Sequence, residues 1–150
     1  MPFVAKPLPV RFSDLVVKEI DPASAYSRDS INVTPPAASA PLLIGNVVFR
    51  AKSLDPTAAY AVLSNVSQLV DTNEFAVVFG DEYSFNPSFV PKAIAAGKFN
   101  SIAFIRGMVQ LKDYYVKENN IAMTAAQLAT LSTLLKRQGV ILVETKGSIA

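Results

Sequence analysis

The stretch MTAAQLATLSTLLKRQGVILVE, Met123 to Glu144, holds the densest local structural signals in the chain. Thr124 is followed three residues later by Gln127. That is the spacing of a capping box, in which each side chain satisfies a backbone N–H of the other residue. Leu128, Leu131 and Leu135 recur at helical spacing, with Ala125 one turn earlier on the same face. Lys136 and Arg137 fall in the last turn, where the negative end of the helix dipole favours cations. Gly139 stands where a helix end calls for positive φ. The spacing predicts a helix that stops before Gly139, then a short buried strand, Val140 to Glu144. The leucine stripe reads as core rather than as a seam for a partner helix.

Upstream of this helix the chain reads mainly as β. LLIGNVVFRAKS, Leu42 to Ser53, is a strand with Gly45-Asn46 as a turn or bulge. Ser53 to Thr57 is a turn in which Pro56 pre-sets φ. Ala58 to Asn65 is a second strand, placed to form a hairpin with the first. Phe75 to Phe79 is a third, followed by a loop with Asn86-Pro87. Ser101 to Leu111 is a fourth, with Gly107 as a bulge. Lys92 to Lys98 suits a single helical turn that Gly97 ends.

The first 41 residues have another character. Seven of the ten prolines lie at or before Pro41. Val10 to Ile20 is the one extended segment there. Val10, Phe12, Asp14 and Val16 share one face, and Arg11, Ser13, Leu15 and Val17 the other. A strand half apolar on both faces suits pairing with something else. DPASAYSRDS and TPPAASAP read as turn and tether, since residues before proline favour extended geometry. The expected organisation is an extended N-terminal arm, 1–41, and a body, 42–150. The expected class is α+β, mainly β: a small, barrel-like β-rich domain with one C-terminal helix.

Composition narrows the function. Half of the 150 residues are hydrophobic and 17% are charged, enough apolar material for one cored domain. The chain has no cysteine, histidine or tryptophan. It therefore lacks disulfides, thiolate nucleophiles and the commonest general base and metal ligand. A net charge of +2 with scattered basic residues gives no nucleic-acid footprint. No apolar run reaches the roughly 18 residues of a membrane span. The N-terminus, broken by Pro2, Pro7, Pro9 and early charges, does not read as a secretory leader.

Few residues suggest chemistry. Asp81-Glu82 is the densest acidic spot, but neighbours at a strand end point apart and no spaced third carboxylate follows. Nothing in the sequence brings Glu74 and Asp113 together for acid–base work. Serines have neither a histidine base nor a G-x-S-x-G elbow. Tyr114-Tyr115 suits a core edge or a subunit interface, with stacking on a ligand as the other reading. Arg106, on an apolar strand, suits an interface or a barrel rim. No enzyme template is complete, and neither a cofactor nor a metal is expected. What remains is a β-rich body with an arm that binds by strand addition, its docking strand drawn from Val10, Phe12, Leu15, Val16 and Val17.

The order of these elements resembles the lambda-type head decoration, or capsid cement, proteins of tailed bacteriophages. APLLIGNVVFR matches the strand that opens the family's body after a Pro/Ala/Thr-rich arm. AYAVLSN matches its A-V-L strand, and LVDTNEFAVVF the following connection. IAFIRGMVQL, with Arg106 and Gly107, stands where the family often reads V-L-x-R-G-E-V. LATLSTLLKRQGVILVE stands where it often reads L-x-x-L-x-x-x-G-I-x-L/V. The resemblance spans Pro41 to Glu144. Met108 departs from an often acidic position, and residues 81–100 look like an insertion. The resemblance implies a non-enzymatic virion protein, made in the host cytoplasm. It implies a homotrimer at threefold positions on the outer surface of the phage head, bound to the major capsid protein through the arm. Two other expectations stand beside it: a small ligand-binding module for glycans or peptides with Tyr114 and Tyr115 as platform, and a tail-associated or accessory structural protein.

Overall fold

The computed structural model describes residues 15–20, 26–34, 42–53, 55–79 and 99–144. The strands are β1 (Val16–Glu19), β2 (Arg28–Thr34), β3 (Val47–Ala51), β4 (Tyr60–Val62), β5 (Asn73–Val78), β6 (Phe99–Phe104), β7 (Val109–Lys112) and β8 (Val140–Val143). The helices are α1 (Asp113–Glu118) and α2 (Ala125–Arg137), with one 3₁₀ turn at Val66–Gln68. Five strands close a barrel in the order β2-β4-β3-β5-β6, and the other three form a sheet in the order β1-β7-β8. The molecule is mainly β, with a barrel and one long C-terminal helix, as the sequence predicts.

Along β3, β5 and the end of β6 both faces of the barrel wall are buried, whereas β2 and β4 expose their outer residues. Val48, Ala76, Val78 and Ala103 join Ile31, Val33 and Tyr60 in one cluster. Their alternating neighbours Val47, Phe75, Val77 and Phe104 belong to a second cluster with Leu131, Leu135, Val109 and Val140. The second cluster contains α2 and the three-stranded sheet, so it lies outside the barrel and the first lies inside. A five-stranded barrel is narrow. On β5 and β6 the small Ala76 and Ala103 point inward, while Phe75 and Phe104 face the helix layer.

The α2 helix forms where its caps place it. Thr124 Oγ1 accepts from the Gln127 N–H at 3.2 Å, and Gln127 Oε1 accepts from the Thr124 N–H at 2.8 Å. Leu131, Leu134 and Leu135 are buried and Leu128 packs beside them. Ala125 is exposed, so the buried stripe begins one turn later than its spacing suggests. Gly139 takes φ +86° and starts β8, which pairs parallel to β7.

Two expectations are corrected. Residue 41 is not a domain boundary: β2, expected as turn and tether, pairs with β6 from Arg28 to Val33 and closes the barrel. In RDSINVT, Ile31 and Val33 alternate with polar residues and fill the interior. Secondly, Ser101 to Leu111 is not one bulged strand. Gly107, at φ +82°, sits in the turn where the chain leaves the barrel as β6 and enters the other sheet as β7. DYYVKE, which carries no helix signal in the sequence, forms α1 directly after β7. The readings of Asp81-Glu82, Asn86-Pro87 and Lys92–Lys98 lie outside the described residues.

Two polar clamps hold the layers together. Gln138 follows α2, and its side chain accepts from the Phe75 N–H and donates to the Phe75 and Ile105 carbonyls, at 2.8–3.0 Å. β5 meets β6 from Val77 onward, so Gln138 serves the earlier part of β5 that β6 does not reach. Asn119 and Asn120, after α1, bind the turn before β3. Asn119 donates to the Ile44 carbonyl at 2.7 Å. Asn120 donates to the Gly45 carbonyl and accepts from the Val47 N–H, both at 2.8 Å.

Candidate functional site

β1 is where the N-terminal region joins the body. Leu15 is fully buried in the outer core, and Val16 packs against that core. β1 then runs antiparallel to β7, and the Ile20 N–H donates to the Met108 carbonyl at 2.9 Å. Glu19 locks the far end. Its carboxylate accepts from the Ser27 hydroxyl and from Arg28 Nε at 3.0 Å, tying β1 to the start of β2. The Glu19 side chain is nearly buried, which makes this charge-assisted contact a fixed joint rather than a solvated surface pair.

The opposite edge of β1 pairs with no described strand. Beside it lies an apolar corner. Among the described residues six large hydrophobic side chains are exposed, and three of them meet here: Ile20 (50%), Tyr26 (59%) and Met108 (57%), with Val17 (48%) exposed earlier on β1. Ile20 and Met108 meet through their backbones. The Tyr26 ring lies over Gly107, whose added Cβ would stand 3.0 Å from the ring. Arg106 covers Tyr26 with its guanidinium carbon 5.2 Å from the ring centroid, and pairs with Asp29 at 3.5 Å. An exposed strand edge beside clustered apolar side chains is the surface pattern of a docking site; single exposed hydrophobics are not.

The structure disperses the sequence-derived candidates. Leu15 is core and has no surface to offer a partner. Val16 is half-buried, Val17 faces solvent, and Val10 and Phe12 lie outside the described residues. Arg106 sits at the apolar corner, over Tyr26 and paired with Asp29. Tyr114 and Tyr115 do not make a flat platform: their rings stand at 89° with centroids 5.0 Å apart. Tyr115 packs against the outer core, and its backbone lies close under Gly45. Glu74 pairs with Arg50, and Asp113 with Lys117 at 2.8 Å, so each of these carboxylates has its own cation. Among the described residues no cluster of three acidic, cysteine or histidine side chains is positioned for a metal. Tyr26 and Met108 carry no sequence signal of their own; only the turn at Gly107 brings them to β1. No protein-family model matches the chain, and neither a curated protein nor a solved structure matches it.

Proposed function

We propose that this chain is a non-enzymatic decoration protein of an icosahedral phage head. In this reading it sits as a homotrimer at threefold positions on the outer surface and stabilises the shell by binding the major capsid protein. The observation that carries the proposal is the edge of β1 that pairs with no described strand, with Val17 exposed along β1 and the apolar corner of Ile20, Tyr26 and Met108 at its end. A strand of the capsid protein added at that edge gains a backbone ladder and apolar cover together. Further support comes from the segments that carry the resemblance. The Arg-Gly turn, the leucine helix, Gly139 and the final strand assemble into one unit, in which the Val109 N–H donates to the Gly139 carbonyl at 3.1 Å. Repeated copies on one shell need only a few kcal/mol each, since their contributions combine.

The test is co-sedimentation with purified shells stripped of this protein, comparing wild type with Met108→Asp and Ile20→Lys. Both positions are exposed, so the variants keep the wild-type melting temperature, and both lose shell binding. Folded variants that decorate shells at wild-type occupancy would remove the docking edge from the proposal. A deletion series must stop before Leu15, because Leu15 is core and β2 closes the barrel.

A further inference from the structure

We propose that the seam of the barrel between β2 and the β3–β4 hairpin is a binding site for a single neutral sugar ring. β2 runs parallel to β4 and pairs with it only at Val33–Tyr60 and Thr34–Ala61. From Asp29 to Asn32 its edge toward β4 is therefore open, and a cavity of about 290 Å³ occupies the gap. That volume is at the small end of ligand pockets and suits one ring with its hydroxyls, not a peptide strand.

Tyr60 lines this cavity and is 4% exposed, yet its hydroxyl makes no hydrogen bond to a described residue. A buried phenol without a partner is uncommon and calls for an occupant that can pair with it. Asn32 lines the same cavity, and its carboxamide likewise has no described hydrogen-bond partner. Thr57 donates its hydroxyl proton to Asp55 at 2.6 Å, which leaves its oxygen free to accept. Asp29 adds a half-exposed carboxylate. The lining thus offers both donors and acceptors, and Ile105 adds an apolar side chain.

The charges select against an anion. Arg50 is engaged by the Glu74 carboxylate and by the Pro56 and Ala58 carbonyls, at 2.6 and 3.0 Å for the two carbonyls. Its guanidinium carbon also sits 4.4 Å from the Tyr60 ring centroid. Arg106 is engaged by Asp29. Both guanidinium groups thus already face a carboxylate, so an anion finds no unengaged cation here. A neutral polyhydroxyl ring, with OH groups that donate and accept and C–H faces that pack on Ile105, fits that lining.

The test uses full-length protein with ¹³C-labelled tyrosine and ¹⁵N-labelled asparagine side chains. It is titrated with methyl glucoside, methyl galactoside, methyl mannoside and methyl N-acetylglucosaminide, and separately with inorganic phosphate. The expected result is a saturable shift of the Tyr60 ring and Asn32 amide signals with at least one pyranoside and none with phosphate. Asn32→Ala, at an exposed position that folds without it, should weaken binding about tenfold, the equivalent of one or two lost hydrogen bonds. Silence with every pyranoside overturns the proposal. So does a response to phosphate alone, or unchanged pyranoside affinity in Asn32→Ala.

Discussion

A methyl group on Gly139 would stand 1.7 Å from the carbonyl oxygen of Gly107 and 2.8 Å from its carbonyl carbon. Even a close C–H···O contact needs about 3.3 Å between carbon and oxygen. Gly139→Ala must therefore push the Gly107 turn away by about 1.5 Å. That turn cannot yield alone. The Val109 N–H donates to the Gly139 carbonyl, and Val109 and Val140, side by side in the β7–β8 ladder, are both fully buried. Strained repacking of such a core costs about 1–3 kcal/mol. Holding alanine at φ +86° adds about 1–2 kcal/mol, and a lost backbone hydrogen bond about 1 kcal/mol. The expected loss is about 3–6 kcal/mol, a large part of a small domain's total of about 5–15 kcal/mol. At about 2–4 °C per kcal/mol for a chain of this size, the melting temperature falls by roughly 6–24 °C. The other positive-φ glycines serve as controls. At Gly45 the new carbon would meet the Tyr115 backbone at 2.9 Å, whereas at Gly107 it meets the exposed Tyr26 ring at 3.0 Å, which can swing aside. Urea and thermal unfolding of the three alanine variants should rank Gly139 worst and Gly107 mildest. A Gly139→Ala protein at least as stable as Gly107→Ala would refute the contact between the two turns.

Other perturbations probe the remaining joints. Gln138→Ala strands the Phe75 N–H and removes a donor from the Phe75 and Ile105 carbonyls, so urea unfolding should show a loss of about 2–3 kcal/mol. Glu19→Ala leaves Arg28 and Ser27 without their carboxylate and should cost about 2–4 kcal/mol. Hydrogen exchange in that variant should rise first in β1 and the start of β2. Tyr60 gives a pH signature. Burial, reinforced by the Glu74 carboxylate, holds its phenol above the usual 10.0, with Arg50 pulling the other way. The folded state keeps a proton that the unfolded chain releases near pH 10, so stability is intact below that pH and declines above it. Tyr60→Phe should flatten that alkaline decline in denaturant titrations, and an unchanged slope would deny that Tyr60 causes it.

What could be read from the sequence depended on whether the signal was local. The α2 helix carries its boundaries in its own caps and its partner face in the leucine spacing, so it and the strand after Gly139 were legible. β2 was not. RDSINVT has a period of two over only five residues, and the proline-rich text beside it outweighed that signal. Its reason to be a strand is β6, some seventy residues away. Gly107 read as a bulge because a bulge and a crossover both call for positive φ; which of them forms is decided by Gly139, thirty-two positions later. α1 was hidden because Tyr114, Tyr115 and Val116 favour strands intrinsically, while Asn119 and Asn120 hold the helix end against the Gly45 turn. Of the surface proposed for docking, β1 was legible in part. The corner that Tyr26 and Met108 add to it is a product of tertiary structure.

The place of β1 in the fold bears on how a cement would carry load. An arm tethered only by flexible chain would transmit force to the body through a single covalent point. β1 instead has Leu15 seated in the core, a ladder to β7, and Glu19 bound to Ser27 and Arg28. In the proposed contact, a capsid strand on the open side of β1 makes β1 the middle of a continuous sheet. Load then passes across hydrogen bonds to β7 and β8, and through Gln138 and α2 to the barrel wall. Those bonds break together under shear rather than one at a time. In that proposed contact the other side of β1, which pairs with no described strand, is the one that extends the sheet.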